Sequence, residues 1–197
     1  MIRAVELFTF LNYCEDSDLE KVVLDCGAGF RADMEPLLLR FVERGYQTYG
    51  IEIIPERVAN AEQYAAETGT NLNIRQGDMR NIPFADASMS HVFSYNTIFH
   101  MTRADMIVAV HEIERVLCPE GLCFVNFLSV DDGYCGEGEE VGPGEFLQAE
   151  GGGKVIHTYL EDDVADEFFG SSNVVWRQKR VMEWFEADGK VFRAASL

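Results

Sequence analysis

The stretch from Val22 to Gly29 is the part of this chain that most constrains its fold. It reads Val-Val-Leu-Asp-Cys-Gly-Ala-Gly, an apolar run that ends in an acidic residue and passes into a glycine-rich turn. Such a run is typical of a buried parallel strand, and open α/β sheets bind their ligands beyond the carboxyl ends of such strands. Asp25 therefore places a negative charge at a ligand site, and the ligand predicted there carries a cationic group.

The glycines that follow Asp25 also match a nucleotide-binding fingerprint. Gly27, Gly29 and Ala32 fit the G-x-G-x-x-G/A pattern. Glu52 ends the next apolar run, 23 residues after Gly29, where a ribose-binding carboxylate is expected. These residues indicate nucleoside binding without choosing between a nicotinamide dinucleotide and S-adenosylmethionine. Asp25 favours S-adenosylmethionine, because that molecule carries an ammonium and a sulfonium, whereas a second negative charge would repel a pyrophosphate.

Strand and helix patterns alternate along residues 21–128, which predicts a parallel sheet. Asp33 is the predicted N-cap of one helix. Pro55 opens the next helix and Gly69 ends it, while Thr102 begins a capping box for a third. The predicted elements are an N-terminal helix and loop in 1–20, strands 21–25, 46–52, 71–76, 91–95 and 122–128, and helices 34–44, 55–68 and 102–117.

Five short motifs follow one another through this region at regular spacing. They occupy residues 25–29, 49–53, 77–84, 93–96 and 114–121. In this order they resemble the motifs of class I S-adenosylmethionine-dependent methyltransferases, in particular the small-molecule branch similar to ubiquinone and menaquinone methyltransferases. The resemblance implies an α/β, Rossmann-like fold with a mostly parallel seven-stranded sheet of order 3-2-1-4-5-7-6. It also implies helices on both faces of the sheet and a C-terminal antiparallel hairpin.

The resemblance implies S-adenosylmethionine as the cofactor and assigns residues to it. Asp25 is expected to bind the amino end of the methionine moiety, and Glu52 to accept hydrogen bonds from both ribose hydroxyls. Asp78 is expected to meet the adenine amino group. Cys26 is favoured as a small packing residue over a nucleophile. The expected cofactor-binding set is Asp25, Cys26, Gly27, Gly29, Glu52, Ile53, Asp78, Met79 and Ser94.

The residues that follow the fourth strand are the candidates for methyl transfer. The sulfonium is already an activated leaving group, so the protein mainly holds the reacting atoms in line. Tyr95 and Asn96 are expected beneath the methyl group. His100 matches a histidine often found there in the quinone-methyltransferase relatives, and it is either a general base or a loop histidine with its hydrogen bonds satisfied. Tyr95, Asn96 and His100 are the predicted catalytic set. No metal site is predicted, because no spacing resembles a calcium loop.

Charge and cysteine content restrict the partners and the compartment. Sixteen basic residues face 34 acidic ones, for a net charge of −18, which argues against nucleic acid and anionic membranes as partners. No long apolar run and no signal-peptide pattern are present. The five cysteines form no C-x-x-C pair, so reduced thiols and a cytoplasmic location are expected. We expect a small-molecule acceptor, neutral or cationic, and a monomer or homodimer.

Residues 130–153 break the alternating pattern. They are rich in glycine and acidic residues and contain no lysine or arginine, so little apolar surface is available to offset the entropy of ordering them. They are predicted to be a loop, either a mobile lid over the active site or a solvated excursion. A short acidic helix at 160–169 and strands at 174–185 and 190–195 are predicted to follow. Asp188-Gly189 is a hairpin signal between these strands.

Three functions remain open from the residues. The first is methyl transfer from S-adenosylmethionine to a small molecule. The second is an NAD-dependent oxidoreductase, which the glycine loop and Glu52 support but Asp25 does not. The third is an S-adenosylmethionine-binding protein without turnover. All three use one domain that spans residues 1–197, since the length suits a single core.

Overall fold

The computed structural model describes residues 5–31, 34–170, 172–185 and 191–197. The chain forms two compact units. The first comprises Met1–Tyr95 and Glu112–Val125, and the second comprises Asn96–His111 and Asn126–Leu197. A single domain over residues 1–197 stays a prediction.

The first unit is built on a parallel sheet with the strand order β3-β2-β1-β4-β5. This order and the α/β fold class confirm the sequence prediction. β1 is a run of buried apolar residues that is interrupted only by Asp25, as expected for a strand covered on both faces. The strands are β1 (Val22–Cys26), β2 (Gln47–Glu52), β3 (Ile74–Gln76), β4 (Met89–Ser94) and β5 (Leu117–Val125).

The helices largely begin and end where the sequence signals predict. α1 (Val5–Glu15) buries its apolar residues in the core of the first unit. α3 (Pro55–Thr68) starts with a proline in its first turn and ends at Gly69, which has a φ of 73°. The backbone N–H of Asp105 donates a hydrogen bond to the Thr102 hydroxyl at 3.2 Å, which caps α4 (Arg103–Val116).

The helix predicted at 34–44 is shorter than expected. α2 covers only Leu39–Val42, because the residues before it form turns. The N–H groups of Leu39, Arg40 and Phe41 each donate to the carbonyl three residues earlier, as in a 3₁₀ turn rather than an α-helix. The predicted N-cap Asp33 lies outside the described residues.

The core of the first unit is centred on stacked aromatic rings. Phe41 and Phe93 stack with their ring centroids 5.2 Å apart, and Phe10 packs against both rings. Burial of each such side chain stabilises the fold by about 1.5–3 kcal/mol. This core supports β1 and β4, the strands that position the candidate site.

The second unit contains a separate, mostly antiparallel sheet of six strands with the order β10-β11-β6-β9-β8-β7. The sequence prediction of a single seven-stranded sheet is therefore wrong beyond the first five strands. The last strand pairs with β6, through Ser196 and Leu128, and Leu197 exchanges two backbone hydrogen bonds with Phe127. These contacts make the C-terminal pair part of the second sheet. The strands are β6 (Leu128–Ser129), β7 (Glu139–Gly142), β8 (Glu145–Glu150), β9 (Gly153–Leu160), β10 (Arg180–Phe185) and β11 (Val191–Ser196).

The sequence predicted a loop without secondary structure at residues 130–153, and this prediction is wrong. These residues contain β7 and β8, and β8 pairs along its length with β9. Gly144, Gly151 and Gly152 have positive φ values, which allow tight reversals between the strands. Backbone pairing therefore orders a segment that has little apolar surface of its own. Its role as a lid stays a prediction.

The segment after β9 contains less regular structure than predicted. α5 covers Val164–Glu167 alone, and the strand expected at 174–185 begins only at Arg180. β10 and β11 pair antiparallel, which confirms the predicted pair. The proposed hairpin turn at Asp188-Gly189 lies outside the described residues.

Candidate active site

The carboxyl ends of β1, β2 and β4 bring several of the predicted cofactor-binding residues to one edge of the first unit's sheet. In the parallel register, Asp25 lies beside Gly50 of β2 and Phe93 of β4. Glu52 ends β2 and Ser94 ends β4. Open parallel sheets bind ligands at this edge, so the fold places these three polar side chains where a ligand is expected.

The Glu52 carboxylate is held in place by two backbone N–H groups. Its Oε2 accepts a hydrogen bond from Gly29 at 2.9 Å, and its Oε1 accepts one from Ile54 at 2.8 Å. The residue is 4% exposed. Each carboxylate oxygen can accept more than one hydrogen bond, so Glu52 keeps acceptor capacity for a pair of hydroxyl groups. The contact with Ile54 was not predicted, because nothing in the sequence marks a backbone donor.

The glycine loop approaches Glu52 so closely that no side chain fits at position 29. A Cβ atom built on Gly29 would lie 2.1 Å from Oε2 of Glu52. Gly27 has a φ of 98°, a conformation that favours glycine. The N–H groups of Gly27 and Ala28 both donate to the carbonyl of Ile51, which ties the loop to β2. Ala32, the last position of the fingerprint, lies outside the described residues.

Asp25 is a buried carboxyl group without a cationic partner among the described residues. It is 4% exposed. Burial, and secondly the negative charge of Glu52, raise the pKa of Asp25 well above its usual range. A buried carboxylate is costly unless a partner compensates it. A cationic ligand group at this edge would stabilise the ionised form and lower the pKa again.

Replacement of Asp25 with asparagine is expected to stabilise the free protein at neutral pH and to weaken cofactor binding. The pKa of Asp25 is raised in the folded protein. The contribution of its carboxyl group to the unfolding free energy is therefore fully present when the pH is below the ordinary pKa of an aspartate. This contribution is lost as the pH rises through the raised pKa. Urea unfolding should therefore show that Asp25→Asn gains more unfolding free energy over the wild type at about pH 8 than at about pH 4.

The exposed Asp18 provides the matched control for this experiment. Asp18→Asn removes the same carboxyl group from an exposed position, so it separates the effect of burial at Asp25 from the effect of one fewer negative charge. An Asp25→Asn effect that is equal at both pH values would contradict the raised pKa.

The remaining cofactor candidates of the first unit differ in their surroundings. Cys26 is fully buried, and burial raises the pKa of its thiol well above the usual range, in agreement with a packing role. Met79 is buried, whereas Ile53 is 55% exposed. The Ser94 hydroxyl is buried, and no described residue forms a hydrogen bond with it. A polar ligand group that reaches this edge can satisfy the hydroxyl.

Asp78 has a cationic neighbour that sequence analysis missed. Nε of Arg80 donates to both carboxylate oxygens of Asp78 at 3.0 Å. These hydrogen bonds hold the pKa of Asp78 below its usual range. Asp78 is therefore a carboxylate that accepts hydrogen bonds, which suits the predicted contact with an amino group.

Two residues of α4 support the segment that carries Asp78 and Met79. The Ile82 N–H donates to Oε2 of Glu112 at 2.7 Å, and Arg115 donates to the Ile82 carbonyl at 2.9 Å. Arg115 also donates to the Glu112 carboxylate. Arg115 lies in the motif at 114–121, but the spacing of the motifs along the sequence does not show that it contacts Ile82.

The predicted catalytic residues are divided between the two units. In the first unit, Tyr95 follows β4 and its ring stacks on Phe124. In the second unit, Asn96 has a φ of 54° and exchanges two hydrogen bonds with Asn126: its N–H donates to Oδ1 at 2.7 Å, and its Oδ1 accepts from Nδ2 at 2.8 Å. Asn126 was not predicted. His100 ends a 3₁₀ helix, Ile98–His100, and its side chain is 28% exposed.

Comparison with known families identifies the first unit's sheet as an enzyme domain. Residues 24–125, just over half of the chain, match the family described as "Methyltransferase domain". The chain belongs to this family. It is a methyltransferase that depends on S-adenosylmethionine, and the resemblance to class I S-adenosylmethionine-dependent methyltransferases is confirmed. The comparison with curated proteins finds no match.

Solved structures share the fold of this methyltransferase. An S-adenosylmethionine-dependent methyltransferase from Methanosarcina mazei is 17% identical, with 95% of this chain and 94% of that chain covered and a TM-score of 0.72. A Pyrococcus horikoshii protein is 17% identical, with 98% and 88% covered and a TM-score of 0.67. The Burkholderia thailandensis 1,6-didemethyltoxoflavin-N1-methyltransferase is 15% identical, with 98% and 74% covered and a TM-score of 0.55.

The helices of the methyltransferase are short or interrupted by polar residues. Within the described residues, none has the length and apolar character that crossing a membrane requires.

Proposed function

We propose that this methyltransferase transfers the methyl group of S-adenosylmethionine to a small-molecule acceptor. The observation that carries the proposal is the Glu52 carboxylate, which the Gly29 and Ile54 N–H groups hold at the end of β2. Asp25 adds a second buried carboxyl group at the same edge of the sheet. Together they suit a ligand that has a ribose with two free hydroxyls and a cationic end.

The residues at this edge fit S-adenosylmethionine. Asp25 is buried without a cation, and the buried Ser94 hydroxyl has no partner among the described residues. We assign Asp25 to the ammonium end, Glu52 to the ribose hydroxyls, and the backbone at Gly27 and Gly29 to close approach. We further assign Cys26 and Ser94 to the methionine side, and Ile53, Asp78 and Met79 to the adenine.

The bound cofactor supplies a methyl group on a sulfonium that is already activated as a leaving group. The protein's task is then to hold the acceptor in line and to exclude competing nucleophiles. We propose Tyr95 and Asn96 as positioning residues at the end of β4. His100 is our candidate for removal of a proton from the acceptor.

Charge supports a neutral or cationic small molecule as the acceptor. The net charge is −18, so polynucleotides and anionic membranes are disfavoured partners. The B. thailandensis relative has 1,6-didemethyltoxoflavin and S-adenosylhomocysteine bound, which supports a small molecule as the acceptor. A cytoplasmic location, a monomer or homodimer, and a lid formed by residues 130–153 are further parts of this proposal.

The nicotinamide alternative and the non-catalytic alternative now have less support. Glu52 suits the ribose of either cofactor, but the buried charge of Asp25 opposes a pyrophosphate. The match to the methyltransferase family supports turnover over binding alone. The choice can be tested directly by binding.

Calorimetric titration is expected to show binding of S-adenosylmethionine and S-adenosylhomocysteine, and none of NADP. Glu52→Ala should weaken cofactor binding by about 1.5–3 kcal/mol, since hydrogen bonds to a charged group are lost. This corresponds to a decrease in affinity of about ten- to hundredfold. The exposed Glu62 of α3 provides the control, and Glu62→Ala should bind with wild-type affinity.

Equal affinity for NADP and S-adenosylmethionine would contradict the assignment of the site. If cofactor binds as expected, a screen of neutral and cationic metabolites with a tritium-labelled methyl donor should then identify the acceptor class. Transfer to tRNA or DNA in the same assay, with no transfer to any metabolite, would overturn the small-molecule proposal.

A further inference from the structure

The second unit brings together three side chains that lie far apart in the sequence: His100, Glu150 and His157. The ligand atoms that they offer all lie within 4.8 Å of one another. Nε2 of His157 is 3.1 Å from Oε2 of Glu150, and Nδ1 of His100 is 3.7 Å from the same oxygen. Sequence analysis predicted no metal site, and no local spacing in the sequence connects these residues.

We propose that His100, Glu150 and His157 form a binding site for one divalent transition-metal ion such as Zn²⁺. This site goes beyond the proposed function and does not depend on it. Two imidazoles and one carboxylate are ligands that suit zinc and its neighbours, whereas magnesium and calcium prefer oxygen ligands alone. Three protein ligands leave a fourth position of a tetrahedral ion open.

The spacing of the donors is close to the spacing that such an ion requires. Zinc binds nitrogen and oxygen ligands at about 2.0–2.1 Å, so neighbouring ligands of a tetrahedral site lie about 3.4 Å apart. The two distances to Oε2 of Glu150, 3.1 Å and 3.7 Å, lie on either side of this value. The third pair, the two imidazole nitrogens, lies within 4.8 Å, so coordination also requires side-chain rotation at the histidines.

The fold holds these side chains together through neighbouring residues. The buried Thr158 hydroxyl donates to the carbonyl of Met101 at 2.7 Å, so the residues that follow His157 and His100 are hydrogen-bonded to each other. The antiparallel register pairs Glu150 with Gly153, and strand alternation puts Gly153 on the same face of β9 as His157. The site is thus built from β8, β9 and the end of the 3₁₀ helix.

The surroundings of the two imidazoles also indicate a ligand. Their rings lie 4.7 Å apart between centroids, and the Phe99 ring lies 4.6 Å from that of His100. Nε2 of His157 and Nδ1 of His100 both lie near the same carboxylate oxygen of Glu150, so each ring turns one nitrogen towards the proposed ion. The negative net charge of the protein further favours uptake of a cation.

The test is titration of the EDTA-dialysed, full-length protein with Zn²⁺ in the absence of S-adenosylmethionine. The wild type should bind one Zn²⁺ at this site and unfold at a higher temperature when Zn²⁺ is present. Glu150→Gln and His157→Gln should each weaken binding by at least about tenfold. Glu150 is 45% exposed in its side chain, so Glu150→Gln is expected to fold normally. His111, which is exposed on α4, gives the control His111→Gln with wild-type binding.

Cobalt substitution distinguishes metal binding at this site from metal binding by the free cysteines. Co²⁺ at His100, Glu150 and His157 should give a visible absorption spectrum without a thiolate-to-cobalt charge-transfer band. Mg²⁺ should not compete with either ion. The proposal is overturned if the wild type binds no Zn²⁺, if Glu150→Gln and His157→Gln bind it as the wild type does, or if the cobalt spectrum shows thiolate ligation.

Discussion

Gly29→Ala is expected to weaken the binding of S-adenosylmethionine by about 1.5–3 kcal/mol, as much as Glu52→Ala, since a displaced Glu52 loses hydrogen bonds to a charged group. The Cβ atom would lie 2.1 Å from Oε2 of Glu52, so the carboxylate must leave its position. It would then lose the hydrogen bond from the Gly29 N–H as well as its alignment with the ribose hydroxyls. Calorimetric titration of the purified variant measures the loss.

Gly170→Ala is the matched control for this substitution. No atom lies within 4 Å of a Cβ atom built on Gly170, so the same change of residue type meets open space. Thermal unfolding of both variants shows whether the loss of binding reflects local displacement or loss of the fold. Wild-type affinity in a folded Gly29→Ala variant would contradict the assignment of Glu52 to the cofactor.

His100→Gln is expected to lower turnover by about 10²–10⁴-fold with little effect on cofactor affinity, if His100 removes a proton from the acceptor. The loss should be smaller for an acceptor that is already deprotonated at the assay pH. Steady-state assays over a range of pH, with S-adenosylhomocysteine binding measured in parallel, test this. His111→Gln serves as the control. Full activity of His100→Gln with a protonated acceptor would contradict a general-base role.

A metal ion bound to His100 would prevent this residue from acting as a general base. A metal ion on Nδ1 leaves the proton on Nε2, so neither nitrogen can then accept a proton from an acceptor. If His100 is the general base, Zn²⁺ should inhibit the wild-type enzyme, and EDTA should restore its activity. Zn²⁺ that binds at His100 without inhibiting turnover would exclude the general-base role.

Local sequence signals predicted the first unit well. The run of apolar residues through β1, the carboxylate at its end and the glycines that follow are encoded within eight residues, from Val22 to Gly29. Glu52 could be added because a ribose-binding residue ends the next strand in such folds. Pro55 and Gly69 marked the ends of α3, since both residues restrict the backbone locally.

Other parts of the fold could not be predicted because they depend on strand pairing over long distances in the chain. Residues 130–153 have little apolar surface, yet β8 is ordered by its hydrogen bonds to β9. The position of β11 was misjudged for the same reason. Besides β10, it pairs with β6 through Leu128 and not with a strand of the parallel sheet. A pattern of side chains does not show which backbone a strand will meet.

The sequence alone therefore determined the fold class and the family, and it predicted Asp25 and Glu52 as cofactor-binding carboxylates, because each of these follows from short-range patterns. Only the tertiary structure showed that Gly29 and Ile54 fix Glu52, that Arg80 pairs with Asp78, and that His100, Glu150 and His157 converge. These arrangements depend on distances between side chains, and such distances are set by packing and strand register.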